Sequence, residues 1–411
     1  MKIIHTADLH LGNVFHQHSR TAEHQHFLDW LRQTLTSEAA DALIISGDVF
    51  DTHNPSAEAQ RMLFDFLLQA TEENEGLQIV VVAGNHDAGA RLEAAAELLR
   101  RHNIYVRGTL RRDAEGEVDY AHHILPLAPR GATEAAVVCY ALPFLRSADL
   151  PTGASVEAGL KAHFEGLDRA LKASDFKGLP IVAAAHCYCS GTQVAMVEHS
   201  ERLVIGGQDV IDDAVIPRHF AYTALGHLHK AQTVNDRDNV RYAGSPIALS
   251  FAEKDYQRSV ATFTIHPDQT PVVGIVRYTP LVSLVSVPER RPGTPEEVLE
   301  ALRKLPEPVS NPLRETWPYL EVNLKLTQPE PELQHKILTI LQTKAVRFCR
   351  ATTSAKRAAN KGLNELPTLE GNLQQYQPLD IARQYYRDQF DEEMPKPLVE
   401  RFGLAEEAIH A

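Results

Sequence analysis

Five short polar groups follow apolar runs: Asp8-Leu9-His10, Gly47-Asp48, Gly84-Asn85-His86-Asp87, His186 and Gly226-His227-Leu228-His229. They offer carboxylate, amide and imidazole groups and no thiolate. That donor set suits divalent ions of intermediate hardness, such as manganese, iron or zinc. An Asp-x-His pair on an extended segment puts both side chains on one face, because strand side chains alternate. The same holds for His227 and His229. Glycines at 47, 84 and 226 let the backbone turn closely around a site. Each group also has an ordinary reading. Gly-Asp is common turn chemistry, and a lone histidine such as His186 is more often a satisfied core group than a ligand. Their joint occurrence at the ends of five candidate strands points to a single site. Asp87 either shapes its turn or orients His86.

The elements that must position these groups are legible as apolar runs. Strands are expected at Lys2–Thr6, Ala42–Ser46, Ile79–Ala83, Ala136–Leu142, Ile181–Ala185, Ala221–Ala224, Val240–Ala243, Val260–Ile265 and Val272–Tyr278. Between the early strands, Glu23–Thr36 and Ala57–Thr71 repeat their apolar residues every three or four positions, the period of an amphipathic helix. Alternating strand and helix implies a layered α/β fold. Short polar turns between the closing strands imply mixed sheets. In such folds ligands bind beyond the carboxyl ends of the strands, where the polar groups stand.

Near residue 280 the character changes. Leu281–Val287 reads as a strand, Thr294-Pro-Glu-Glu as a capped helix start, Tyr319–Leu326 as a strand and Pro331–Gln342 as a helix. Domains are therefore expected at 1–278, at 279–350 (a small α+β domain) and at 351–411 (a linker and a C-terminal helical segment). Lys344 to Lys361 carries six basic residues and no acidic one. Lys344, Arg347, Arg350, Lys356 and Arg357 are candidate DNA contacts, or else one solvated helix face.

Composition bounds the function. The chain has 411 residues, too many for one ordinary core, with 44% hydrophobic and 23% charged residues. The net charge of −13 argues against a generally basic surface but leaves local patches open. No apolar stretch is long enough to span a membrane, and the N-terminus lacks the pattern of a signal peptide. Four sparse cysteines suit a reducing compartment, so a cytoplasmic location is expected. No G-x-x-x-x-G-K-[ST] motif occurs, so the chain has no P-loop with which to use ATP.

The order D-x-H, GD, GNHD, H, GHxH resembles the calcineurin-like metallophosphoesterases. Within them, HTADLHLG, SGDVFDT, AGNHD, LGHLHKAQ and YAGSPIALSF resemble the SbcD family, nuclease subunits of bacterial SbcCD complexes and counterparts of the double-strand-break repair nucleases. The likeness covers roughly residues 1–275 strongly. It implies an α/β/β/α sandwich with a small capping domain. It also implies two divalent ions, taken as Mn²⁺: Asp8, His10 and His229 hold the first, Asn85, His186 and His227 the second, and Asp48 bridges them. His86 resembles the histidine that stabilises the transition state or protonates the leaving oxygen. Archaeal relatives carry a substrate-contacting histidine three residues after the bridging aspartate. Here that place is Asp51, with His53 two residues on.

The resemblance further implies endonuclease and 3′–5′ exonuclease action on double-stranded DNA ends and hairpins, in DNA repair, recombination and replication. The implied partner is an SbcC-like ATPase with a coiled coil, joined by a homodimer of this chain within a heterotetramer. Helices near residues 57–71 and 90–101 are candidate dimer contacts. The pattern at 379–405 is either a docking element for the ATPase or a helix packed on its own core. Two other functions share the ligand set: a phosphodiesterase of small or cyclic nucleotide esters, and a non-catalytic protein that positions DNA.

Overall fold

The computed structural model describes residues 1–192, 210–235, 237–266, 269–308, 314–326, 330 and 332–355, with isolated residues between 379 and 399. Met1–Ala355 form one compact unit. The segment 379–405 lies almost wholly outside the described residues.

Two six-stranded sheets carry the site. The first orders its strands Gln269–Arg277, Ser259–His266, Lys2–Thr6, Ala42–Ser46, Gln78–Val82 and Ile104–Arg107. Its last four strands run parallel, and Ser259–His266 pairs antiparallel with both of its neighbours. The second orders Gln232–Val234, Arg237–Tyr242, Tyr222–Gly226, Ile181–His186, Val137–Ala141 and Ile124–Leu127, parallel through its middle four and antiparallel at both edges.

The central strands are continuous apolar runs because both of their faces are buried. In Ala42–Ser46, Leu43 and Ile45 pack toward Phe27, Leu31, Leu63 and Phe66 of the helices Thr21–Ser37 and Ala57–Glu73. Ala42 and Ile44 instead meet Val182, Ala184 and Ala224 of the second sheet. The outer face of that sheet packs on Leu160, Phe164 and Leu167 of the helix Val156–Lys172. The result is the expected α/β/β/α layering. Where a helix was expected at 90–101, the chain forms single turns from Gly89 to His102, ended by Asn103 at φ 59°. Within these turns the Glu93 carboxylate takes the Gly108 amide at 2.7 Å and the Thr109 hydroxyl at 2.8 Å.

A third sheet follows: Leu284–Val287, Tyr319–Leu326 and Arg347–Ala355, all parallel, with helices Pro295–Arg303 and Leu333–Leu341 as crossovers. The expected α+β domain is thus a βαβαβ unit around Val287, Val298, Leu302, Leu320, Val322 and Ile337. Thr294 caps the first crossover as its sequence predicts, with Glu297 closing the capping box. The basic stretch opens as a strand, not a helix face. Alternating Phe348 and Thr352 with β-branched Thr353 favour extended backbone there.

A buried polar latch ties this unit to the main body. The Tyr319 hydroxyl donates to Glu23 Oε1 at 2.7 Å. The Arg20 guanidinium clasps the same carboxylate at 3.0 and 2.6 Å and donates to the Ala248 carbonyl. Phe15, Phe251 and Val282 close over it.

Candidate metal centre

The parallel strands bring the five polar groups to one end of the two stacked sheets. The Asp8 amide bonds Gly47 O at 3.0 Å, and the His10 amide bonds Asp48 O at 3.0 Å. The loops after Lys2–Thr6 and Ala42–Ser46 therefore continue side by side beyond their strands. Four of the seven expected ligands hold left-handed backbone: Asp8 (φ 53°), His10 (φ 46°), Asp48 (φ 46°) and His227 (φ 110°). Such conformations cost roughly 1–3 kcal/mol each outside glycine and persist where the surroundings impose them. Gly84 is required by crowding, since a Cβ there would overlap the Asp48 carboxylate and amide.

Asp48 lies at the centre. Its Oδ1 accepts the His86 amide at 2.8 Å. Its Oδ2 stands 3.7 Å from His10 Nε2 on one side and 3.5 Å from His186 Nε2 on the other. Burial alone would raise this carboxyl, but His186, His10 and His86 hold it below the ordinary carboxylate range. Asp8 Oδ1 accepts the His227 amide at 2.9 Å, which joins the two sheets across the site.

The histidine tautomers follow from what lies behind each ring. Ser46 O, 2.9 Å from His186 Nδ1, can only accept, so Nδ1 carries the proton and Nε2 presents a lone pair. His229 Nδ1 meets Glu253 Oε1 at 3.1 Å, and His10 Nδ1 lies obliquely 3.2 Å from Asp51 Oδ1. Burial lowers His10 and His186 from their ordinary value and takes His227 down to about 3. These imidazoles are neutral at pH 7, the state in which an imidazole can bind metal.

The residues fit two cations. His10 Nε2 is buried and meets no hydrogen-bond partner among the described residues. Asp8, His10 and Asp48 bring one ligand atom each to within 4.8 Å of one another. On the other side, Asn85 Oδ1 lies 2.9 Å from His186 Nε2 and 3.2 Å from His227 Nδ1. With the His186 proton on Nδ1, its Nε2 and the Asn85 oxygen both present lone pairs, an arrangement that a cation touching both would satisfy.

His86 stands beside the first group, its ring centroid 4.9 Å from that of His10. Its Nδ1 donates to Asp51 O at 2.8 Å, which turns Nε2 to the other side. Three neighbours outside the ligand set support it, and of these only Glu253 lay outside every motif. Asp87 accepts the amides of Gly84 (2.8 Å), Val49 (3.1 Å) and Phe50 (2.9 Å), stapling the His86 turn to the Asp48 loop. Burial and the Asp48 charge push its carboxyl up to about 7. Asp51 faces His10 through its carboxylate and holds His86 through its carbonyl. Glu253 backs His229 from 24 residues downstream, a separation that no local pattern marks. His53 is exposed.

The calcineurin-like phosphoesterase family model matches residues 1–230, and the model described as the Type 5 capsule protein repressor C-terminal domain matches 280–390. The SbcD subunit of the SbcCD nuclease of Rhodobacter capsulatus is 36% identical over 372 residues, 87% of this chain and 89% of that one. The chain belongs to the SbcD family. Its relative in Escherichia coli K12 is 35% identical over 264 residues, 62% of each chain, and that in Bacillus subtilis 32% identical over 271 residues, 66% and 67%.

Within this family member, the basic stretch is engaged by the protein itself. Lys344 is buried and reaches Glu307 at 3.3 Å. Arg347 stacks 3.8 Å above the Tyr319 ring and donates to Trp317 O at 2.9 Å. Arg350 donates to Glu321 at 2.7 Å and lies over Phe251. Lys356 and Arg357 lie outside the described residues. No helix among the described residues is long and apolar enough to cross a membrane.

Proposed function

We propose that the chain is a metal-dependent DNA nuclease, the catalytic subunit of an SbcCD-type complex. In this reading Asp8, His10 and His229 hold one divalent ion, Asn85, His186 and His227 a second, and Asp48 bridges them, with Mn²⁺ as the working ion. When bound, the ions supply Lewis acidity toward the scissile phosphate and an activated water. The observation that carries the reading is Asp48 Oδ2 standing between two sets of lone pairs, 3.7 Å from His10 and 3.5 Å from His186. Asp48 offsets the repulsion between two dications. Among the seven ligands only Asp8 and Asp48 carry charge, so the loaded site stays net positive and attracts a phosphodiester.

His86 serves as general acid. With Nδ1 bonded to the Asp51 carbonyl, its Nε2 is the atom that delivers a proton to the departing sugar oxygen. Double-stranded ends and hairpins are the proposed substrates. The third sheet acts as a cap, and an SbcC-type coiled-coil ATPase supplies the ATP use for which this chain has no P-loop. Two copies of the chain join two ATPase chains in the assembly. Co-expression with such an ATPase, followed by a Mn²⁺-dependent assay on linear and hairpin duplexes, tests the reading. Cleavage that requires both metal and His86 is expected. Hydrolysis of small diesters with none of DNA would sink it in favour of a small-molecule phosphodiesterase.

A further inference from the structure

The two halves of the metal centre differ in what stands behind their ligands. On the first side both histidines face a carboxylate, His10 with Asp51 at 3.2 Å and His229 with Glu253 at 3.1 Å. On the second side His186 rests on the neutral Ser46 carbonyl at 2.9 Å. The directly facing donors differ the same way. The first side has Asp8 as a ligand and shares Asp48, whereas the second has the amide of Asn85 and shares the same Asp48; Asp8 Oδ1 meets the second side only through the His227 amide at 2.9 Å and, at 4.0 Å, the Nδ1 edge of His186.

The two backing carboxylates act differently. Glu253 Oε2 is paired with Arg258 at 3.3 Å and accepts the Leu249 amide at 3.1 Å. Its charge is largely offset, so Glu253 chiefly fixes the tautomer and tilt of His229. Asp51 receives a neutral donor, Asn13 Nδ2, at 3.0 Å. It therefore adds negative potential behind His10. Carboxylates in this position orient an imidazole, raise its basicity and change metal affinity by about 10- to 100-fold.

We propose that the two ion sites are unequal. The Asp8–His10–His229 site, positioned by Asp51 and Glu253, is tight and retains its ion, while the Asn85–His186–His227 site is weak and exchanges with the surrounding medium. Nuclease activity then follows occupancy of the second site and so tracks the ambient concentration of the divalent ion. Asp51 and Glu253 are positioning residues that set the first affinity. The inference rests on the two-ion reading above.

The test titrates Mn²⁺ into the metal-stripped full chain, by calorimetry and by the electron paramagnetic resonance signal of free Mn²⁺. Two binding steps separated by more than about 10-fold are expected, with activity following the second. Glu253→Gln and Asp51→Asn each weaken the first step by about 10- to 100-fold and leave the second in place. A general loss of structure would move both steps, so the selectivity is the diagnostic. Asn85→Ala removes the weak step and keeps the tight one. Two indistinguishable steps in the unmodified chain overturn the inequality and leave the two-ion reading standing. Equal weakening of both steps in the carboxylate variants overturns the positioning roles. No binding at all overturns both this inference and the two-ion reading.

Discussion

The metal centre and the segment Lys344–Arg350 are both dense in ionisable groups, and they use them in opposite ways. In the segment each cation has a protein partner: Lys344 has Glu307, Arg347 the Tyr319 ring, and Arg350 both Glu321 and the Phe251 ring. At the metal centre the scaffold orients the groups but leaves coordination unspent. His10 Nε2 has no hydrogen bond among the described residues, and Asn85 Oδ1 faces two imidazole nitrogens. The centre also holds four residues in left-handed backbone. A dense run of charge thus marks a site only when its bonding capacity is not already consumed by the fold.

The strongest way to break this comparison is His86→Ala. If His86 is unspent capacity of the catalytic kind, its loss lowers kcat by about 10²- to 10⁴-fold. Mn²⁺ binding, measured by calorimetry, stays intact. A near-normal rate in a metal-loaded variant would return His86 to the status of a turn residue.

Next in size is Asp87→Ala. This residue belongs to the spent class, although it lies in the same motif as His86. Its carboxylate satisfies three backbone amides that have no substitute once it is gone. Each buried donor left unpaired costs about 1–3 kcal/mol, so several kcal/mol of stability are lost. Urea unfolding measures this. A destabilisation below about 1 kcal/mol would show that water replaces the staple.

A third test concerns buried histidines outside the ligand set. Burial takes His5 and His24 down to about 3 from an ordinary 6.5. A folded pKa below the unfolded one means that the unfolded chain takes up protons first. The stability they allow is therefore complete above pH 6.5 and is lost as pH falls from there toward 3. The slope is on the order of 1 kcal/mol per pH unit for each proton taken up. Thermal melts of the metal-free protein from about pH 7 to about pH 5 record it, and His24→Gln reduces the slope.

How much of this was legible in the sequence follows the same division. The central strands and two long helices were readable because burial on both sheet faces leaves unbroken apolar runs, as in Ala42–Ser46. Strand-end placement then put the seven candidate ligands and His86 at one end of the sheets. Asp87 was legible as a turn-shaping residue but its bonds to Val49 and Phe50 were not, and Asp51 and Glu253 were not legible as partners. Each acts through a contact set by tertiary packing, and Glu253 reaches His229 from a short turn far along the chain. The helix expected at 90–101 is built instead as consecutive α and 3-10 turns from Gly89 to His102. The pairings within the basic stretch were hidden for a related reason. Its cations read as an open patch because Glu307, Glu321 and Tyr319 are remote in sequence.

The smallest expected effect tests that last point. Arg350→Ala removes a partly exposed pair with Glu321 and a contact with Phe251. A loss of about 1 kcal/mol in unfolding free energy is expected. The salt dependence of DNA affinity, which reports the number of phosphates neutralised, is expected to stay the same. Arg347→Ala behaves alike, because its guanidinium is committed to the Tyr319 ring and the Trp317 carbonyl. The decisive measurement is the slope of log affinity against log salt for the unmodified chain and both variants. A slope flattened by about one unit per arginine would mean that DNA draws these side chains away from their partners. The segment would then join the metal centre as a surface whose capacity is held in reserve, and the contrast between the two regions would fail.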